Sequence, residues 1–367
     1  MRLFFETFRS NETTYEREGN QPFQSSAELI CQAGLAASLL EYAQSNPQRA
    51  TEAHALGSEL AGTLKDFFDE ETGVFQNTYP PRGEEWRRRV VDTWYLFNNT
   101  YEVLRVARST RDSELRNLGL RSVDRLIAFV KSCKYMIPLF AKVGLSGALA
   151  DDGEVIGFAL NPSVLGMHSA LLVLAAQVVS RGAEGGWNED GIGLSTDRYE
   201  MSVLDYENEA KRALKLLHRW PISQTHHQAV QLAWAIRAAD ALGEKTLRDD
   251  FAKSLLLTCY RQGKHAGLFQ GCAGMGYPAF RETVEAIEAF VPWANAAPGD
   301  LRLPDLIALA VWNCAQFISV ESATRGLPQE GLGTREQPGA ANVGLAIYAA
   351  PQVFDLARLQ MGGRLGQ

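Results

Sequence analysis

Asp92 is the residue in this sequence best placed for acid/base chemistry. It lies in VVDTWYLFNNTYEVLRV (90–106), a stretch apolar nearly all round, where Tyr95, Asn99 and Glu102 follow it at helical spacing as one polar stripe. A carboxyl between Val91 and Trp94 is partly desolvated, which favours its protonated form and suits it to general acid/base work. Glu282 and Glu285, just after Arg281, supply the second carboxylate that cleavage between two carboxyl groups requires. His226 and His227 offer different chemistry. An imidazole pair that titrates near neutral pH can abstract a proton and return it. On this reading Asp92, Glu282 and His227 are the catalytic candidates.

The remaining polar residues read as binding groups. Glu28 and Gln32 are spaced i, i+4, His168 stands in an apolar run, and Gln231 shares a helical face with Gln224, His227 and Gln228. Trp86 is flanked by Arg82, Arg87, Arg88 and Arg89, a cluster that can grip a carboxylate bidentately. Tyr95, Asn99, His226 and Glu285 complete the expected substrate-binding set. Each has a structural alternative. Asp92 can simply favour a helix dipole, the glutamates can form a solvated face, and His168 can be a core histidine.

The elements that must hold these residues show an alternation. Stretches apolar on every side, which must be buried, alternate with stretches apolar along one stripe, which must face solvent on their back. The all-apolar stretches are expected as inner helices over 25–44, 88–108, 162–180, 221–242, 280–293 and 340–358. The striped ones are expected as outer helices over 47–68, 112–132, 197–219, 245–261 and 304–319. Connections within a pair are short. Those between pairs are long and rich in Gly, Pro and aromatics, and two of them share Gly-aliphatic-Phe-Gln, at Gly73–Gln76 and Gly267–Gln270. The expectation is one all-α domain over 1–367, a double ring of helical hairpins. Its inner helices run the same way, so the long loops share one rim, where sites usually lie.

Composition narrows the partners. The chain has 367 residues, 46% of them hydrophobic, and a formal charge of -7 with no basic block, so neither nucleic acid nor an anionic membrane is expected. No run approaches the ~18 apolar residues of a membrane span. Glu6 and Arg9 interrupt the apolar start, so no secretory signal is expected. Five widely spaced cysteines without a CxxC pair read as buried thiols in a reducing, cytoplasmic setting. No metal or cofactor is expected. The expected partner is a small molecule or oligosaccharide substrate, and the oligomeric state is left open.

The arrangement resembles the six-hairpin (α/α)6 toroid of glycosidases and their relatives. Thr72-Gly73-Val74-Phe75, followed by Val91-Asp92-Thr93, is similar to a motif pair in the unsaturated glucuronyl and rhamnogalacturonyl hydrolases. That resemblance implies that Asp92 is the catalytic acid/base of a glycoside hydrolase acting on oligosaccharides, uronate-containing ones among them. Where those families carry Arg-Gly-Asn-Gly-Trp, this chain reads Asn161-Pro162-Ser163. The same toroid hosts sugar 2-epimerases, which the histidine pair would suit, and isoprenoid cyclases, for which a dehydratase activity is the related option. A non-catalytic binding protein that kept the ring is the fourth possibility.

Overall fold

The computed structural model describes residues 15–17, 21–23, 27–45, 50–70, 72–75, 78–79, 90–137, 140–142, 164–183, 201–219, 228–271, 277–317 and 332. Ten α-helices stand among them. Those of odd number are α1 (Leu29–Ser45), α3 (Thr93–Thr110), α5 (Val164–Ala183), α7 (Gln228–Ala241) and α9 (Phe280–Phe290). Those of even number are α2 (Ala50–Thr63), α4 (Ser113–Ser132), α6 (Val203–Arg219), α8 (Lys245–Leu256) and α10 (Leu303–Cys314). Each odd helix packs on the next odd helix and on the even helix that follows it, so five hairpins form an arc of the ring. The expected inner helix over 340–358 lies outside the described residues.

Burial explains which helix goes where. In α7 every residue from Ala229 to Ile236 is buried, as an inner helix requires. In α6 only Tyr206, Glu209, Ala210, Ala213, Leu214 and Leu217 are buried, a single stripe with solvent behind it. One continuous cluster of buried apolar residues runs through both layers from Val74 to Ala310. α5 and α7 cross closely. A Cβ on Gly166 would lie 2.4 Å from the Gln231 carbonyl oxygen, so only glycine lets these two backbones approach so closely.

Helix ends follow local chemistry. Asp112 caps α4, accepting from the Glu114 and Leu115 amides at 2.9 Å each. The expected helix over 280–293 ends as an α-helix at Phe290 and continues as a 3-10 turn over Val291–Ala296, because Pro292 lacks the N–H that an α-turn needs.

Four short antiparallel ladders accompany the helices among the described residues, and two of their strands lead directly into inner helices. β1 (Tyr15–Arg17) pairs with β2 (Gln21–Phe23), and β3 (Ala27–Glu28) pairs with β6 (Thr78–Tyr79). β4 (Phe68–Asp69) pairs with β5 (Val74–Phe75), and β7 (Val90–Asp92) with β8 (Phe140–Lys142). Two of these correct the sequence reading. Glu28 lies in β3, so it shares no helical face with Gln32. Asp92 is the last residue of β7, opposite Phe140, and not a first-turn helical residue. The β-branched Val90-Val91 pair favours an extended chain, and β8 supplies its backbone partners. Among the described residues no helix is long and apolar enough to cross a membrane.

Candidate functional site

The inner helices run parallel, and side-chain contacts across the ring show it. Trp94 is the second residue of α3 and Arg281 the second of α9, and the Arg281 guanidinium lies over the Trp94 ring, 4.6 Å from its centroid. Glu41 and Arg105 are each the thirteenth residue of their helix, α1 and α3, and they form a buried ion pair. Early residues meet early ones and late residues meet late ones. The ring therefore has one rim where the inner helices begin and a deeper tier where they end.

The deeper tier is a cluster of buried charge. Arg105 Nη1 donates to Glu102 at 2.7 Å, its Nε donates to Glu41 at 3.3 Å, and Arg108 reaches Glu41 at 3.2 Å. On the other side Arg237 pairs with Glu285 and donates to Glu288 at 3.0 Å, while Trp234 Nε1 donates to Glu285 at 2.9 Å. The Tyr101 and Trp234 rings, 4.4 Å apart, join the two halves. With Arg281, four guanidiniums face Glu41, Glu102, Glu285 and Glu288, so the charges in this cluster balance. Such pairing is what permits ionised groups in an apolar ring.

Burial still shapes the titration. It pushes the Glu102 carboxyl up; Arg105 opposes the shift, and Glu285 and Glu41 add to it. Burial raises Glu288 from 4.5 to about 7, against Arg237 and with Glu285. A carboxyl poised near 7 is suited to proton transfer at neutral pH.

The expected site residues divide. Glu282 and Glu285 are both 3% exposed on α9, and Tyr95 is half-buried beside Trp94, their rings 5.2 Å apart. Asn99 is fully buried, and its amide has no hydrogen-bond partner among the described residues. Gln231 is buried where α5 and α7 cross. One expectation is corrected. Gln32 accepts from Thr63 of the outer helix α2 at 3.2 Å, because it lies between the layers and away from the axis. His168 is fully buried in the core, edge-on to Phe97 at 5.5 Å, and burial lowers it from 6.5 to about 3, with Lys131 of α4 adding. Its two ring nitrogens have no hydrogen-bond partner among the described residues. Trp86, Arg88, His226 and His227 lie outside the described residues. Of Glu28 and Asp92 only the backbone is described.

Sequence reasoning missed Glu41, Arg105, Arg108, Arg237, Glu288 and Trp94. A signal was present: Glu102 and Arg105 are opposite charges at i, i+3 within a stretch that is otherwise apolar all round. Among the described residues no group of His, Cys, Asp or Glu is placed to hold a metal ion.

The comparisons concern the whole chain. No protein-family model and no curated protein sequence matches it. Solved structures do match. The cellobiose 2-epimerase of Spirochaeta thermophila DSM 6192 superposes with a TM-score of 0.56 at 10% identity, covering 91% of this chain and 88% of its own. The cellobiose 2-epimerase of Bacillus thermoamylovorans B4167 gives 0.56 at 10% identity, covering 96% and 100%. A family 76 glycoside hydrolase from a bovine Bacteroides thetaiotaomicron strain gives 0.56 at 10% identity, covering 95% and 77%. This chain has the (α/α)6 toroid fold. The five described hairpins belong to that ring, and the Glu and Arg cluster joins their inner helices.

Proposed function

We propose that this toroid is a carbohydrate-active enzyme working by carboxyl acid/base chemistry at the rim end of its axis, and in the first instance a glycoside hydrolase. The observation that carries this reading is the placement of Glu282. It is buried in the first turn of α9, at the end of the ring where β7 delivers Asp92 to the start of α3. In this reading Asp92 protonates the glycosidic oxygen as the leaving sugar departs. Glu282 acts from the other side of the sugar as base or nucleophile. In the same reading Tyr95, Asn99, Gln231 and Glu285 contribute hydrogen bonds to the sugar, and Glu28, Trp86, Arg88 and His226 complete the binding set. The arginines beside Trp86 would select uronate-containing oligosaccharides.

A second reading is favoured by one feature. His226 and His227 immediately precede α7 in the sequence, and the two epimerase structures share nearly the full length of this chain. A histidine that abstracts the proton beside a sugar carbonyl and returns it on the other face would make this chain a 2-epimerase. An isoprenoid cyclase or dehydratase needs a dry apolar lining, which six Arg–Glu pairings along the axis do not supply.

One assay separates the readings. The protein is incubated in D2O with cellobiose and with neutral and uronate-bearing oligosaccharides, and the products are followed by NMR. Hydrolysis creates a new reducing end for every bond broken and leaves C2 protonated. Epimerisation keeps the number of reducing ends and places deuterium at C2 of the reducing sugar. New reducing ends support the hydrolase, and deuterium at C2 replaces it with the epimerase. Neither product from any sugar overturns the carbohydrate reading.

A further inference from the structure

The ring has a second end. The inner helices begin at the rim, so α5 and α7 finish on the opposite face, where the outer helix α6 begins. A cavity of about 330 Å3 lies between these three helix ends. Val173 of α5, Val203 of α6 and Leu242, just past α7, give it apolar walls. Its polar groups are Gln177 and Ser180 of α5 and Glu207 of α6. Gln177, Ser180 and Ala241 line it and are exposed, so it opens to solvent. A mostly apolar hollow of this size with a few polar groups suits a small molecule.

The charge on these walls favours one sign. Glu207 is half-buried and pairs with no cation among the described residues. Lys211, one turn further along α6, is taken by Glu244 at 3.8 Å. α5 and α7 both end here, and a helix C-terminus carries roughly half a negative charge. The opposing positive end of α6 is answered by Asp205, which accepts from the Ser202 amide at 2.9 Å and from its hydroxyl at 2.7 Å. Behind the wall, Arg108 donates to Gln177 Oε1 at 3.2 Å, and its charge is already countered by Glu41.

We infer that this cavity is a binding site for a small organic cation, a primary ammonium group on a compact apolar body. The ammonium donates to the Glu207 carboxylate and to the Ser180 hydroxyl oxygen. The apolar body covers Val173, Val203 and Leu242 and removes their surface from water. An anion of the same shape meets Glu207 and two negative helix ends, and is repelled. A neutral molecule of the same shape keeps the apolar contact and loses the ion pair. The cavity lies at the far end of the ring from Glu282, so its occupancy does not depend on which reaction the rim carries out.

The test uses the full chain and three probes of one shape: cyclohexylamine, cyclohexanol and cyclohexanecarboxylate, at neutral pH. Binding is read by calorimetric titration, with thermal melting of each variant alongside. The amine should bind, the alcohol more weakly, and the carboxylate not at all. Glu207→Gln keeps the size of the side chain and should weaken amine binding about tenfold, the scale of one hydrogen bond to a charged group, while leaving the alcohol unaffected. Ala241→Trp fills the cavity from an exposed position and should abolish binding of both without lowering the melting temperature. No binding of the amine by the native protein overturns the site. So does equal affinity for amine and alcohol. Amine binding that survives both Glu207→Gln and Ala241→Trp places the amine elsewhere and overturns it as well.

Discussion

Trp234 and Arg237 of α7, three residues apart, converge on one oxygen of Glu285: the indole N–H donates to Oε2 at 2.9 Å and the guanidinium pairs with the same atom. The same logic holds in the other half of the axis, where Arg105 joins Glu41 to Glu102. Neither half is a surface salt bridge. Each is a buried charge with its counter-charges built in, and each ties non-consecutive parts of the chain across the ring. Removing one partner therefore costs more than the pair contributes, because the survivors are left unpaired away from water.

The first prediction follows from that asymmetry. Arg105→Met should destabilise the protein by about 3–5 kcal/mol, since Glu41 and Glu102 lose their shared partner in the interior. Glu102→Gln should cost much less, because Arg105 keeps Glu41. Denaturant unfolding of both variants gives the comparison. Equal and small losses would mean that water reaches this tier in the folded protein.

The second prediction concerns pH, and its two contributors have opposite signs. Glu288 is raised from 4.5 to about 7, so between those values the folded state holds a proton that the unfolded state has released. Its contribution makes stability fall as pH rises through that window. His168 is lowered from 6.5 to about 3, so between those values the unfolded state holds the extra proton. Its contribution makes stability rise with pH there. From about 4.5 to 6.5 the two oppose each other. His168→Leu should unmask a stability that declines with rising pH, and Glu288→Gln one that climbs. Urea titrations at several pH values between 4 and 8 measure the slopes. Two variants with the same slope as the native protein would mean that neither group titrates abnormally.

The third prediction is steric. A methyl on Gly166 would meet the Gln231 carbonyl at 2.4 Å, and a backbone oxygen cannot swing aside as a flexible side chain can. Gly166→Ala should force α5 and α7 apart and cost about 1–3 kcal/mol, the usual penalty for overpacking, despite the better helix propensity of alanine. Gly62 gives the control. It is a helical glycine with open space around its Cβ position, so Gly62→Ala should be neutral or stabilising. A Gly166→Ala protein as stable as the native one would show that the crossing is loose.

The architecture was more legible than the site. Apolar all-round stretches against single-striped ones distinguished α7 from α6 because burial is written directly in periodicity. Helix starts were less accurate. Nothing in the local sequence shows that Phe140–Lys142 will pair with Val90–Asp92 and keep Asp92 extended. Side-chain direction was the other limit. Gln32 and Glu41 are both polar residues on α1, yet one meets the outer helix and the other meets Arg105 across the ring. The difference depends on the rotation of the helix, which is set by packing against its neighbours. His168 shows a further limit: periodicity places it in the interior, where it is fully buried, but does not show that both ring nitrogens stand there without a partner among the described residues.

The last prediction addresses the chemistry. Asp92→Asn keeps the size of the side chain and removes the proton that a leaving sugar requires, so for a hydrolase turnover should fall by about a hundredfold or more with folding intact. Glu282→Gln should give a comparable loss, and the double variant should be little worse than either, since the two carboxyls act on one transition state. His227→Gln should then affect turnover only slightly. For an epimerase the pattern inverts: His227→Gln abolishes deuterium incorporation at C2, while Asp92→Asn stays near native. Parallel rates for all three variants on the sugar that the native protein turns over decide between the patterns. Near-native turnover in all three would leave this toroid without any of the catalytic groups assigned to it, and the search would then move inward to Glu102 and Glu288, the carboxyls whose protonated forms are favoured by burial.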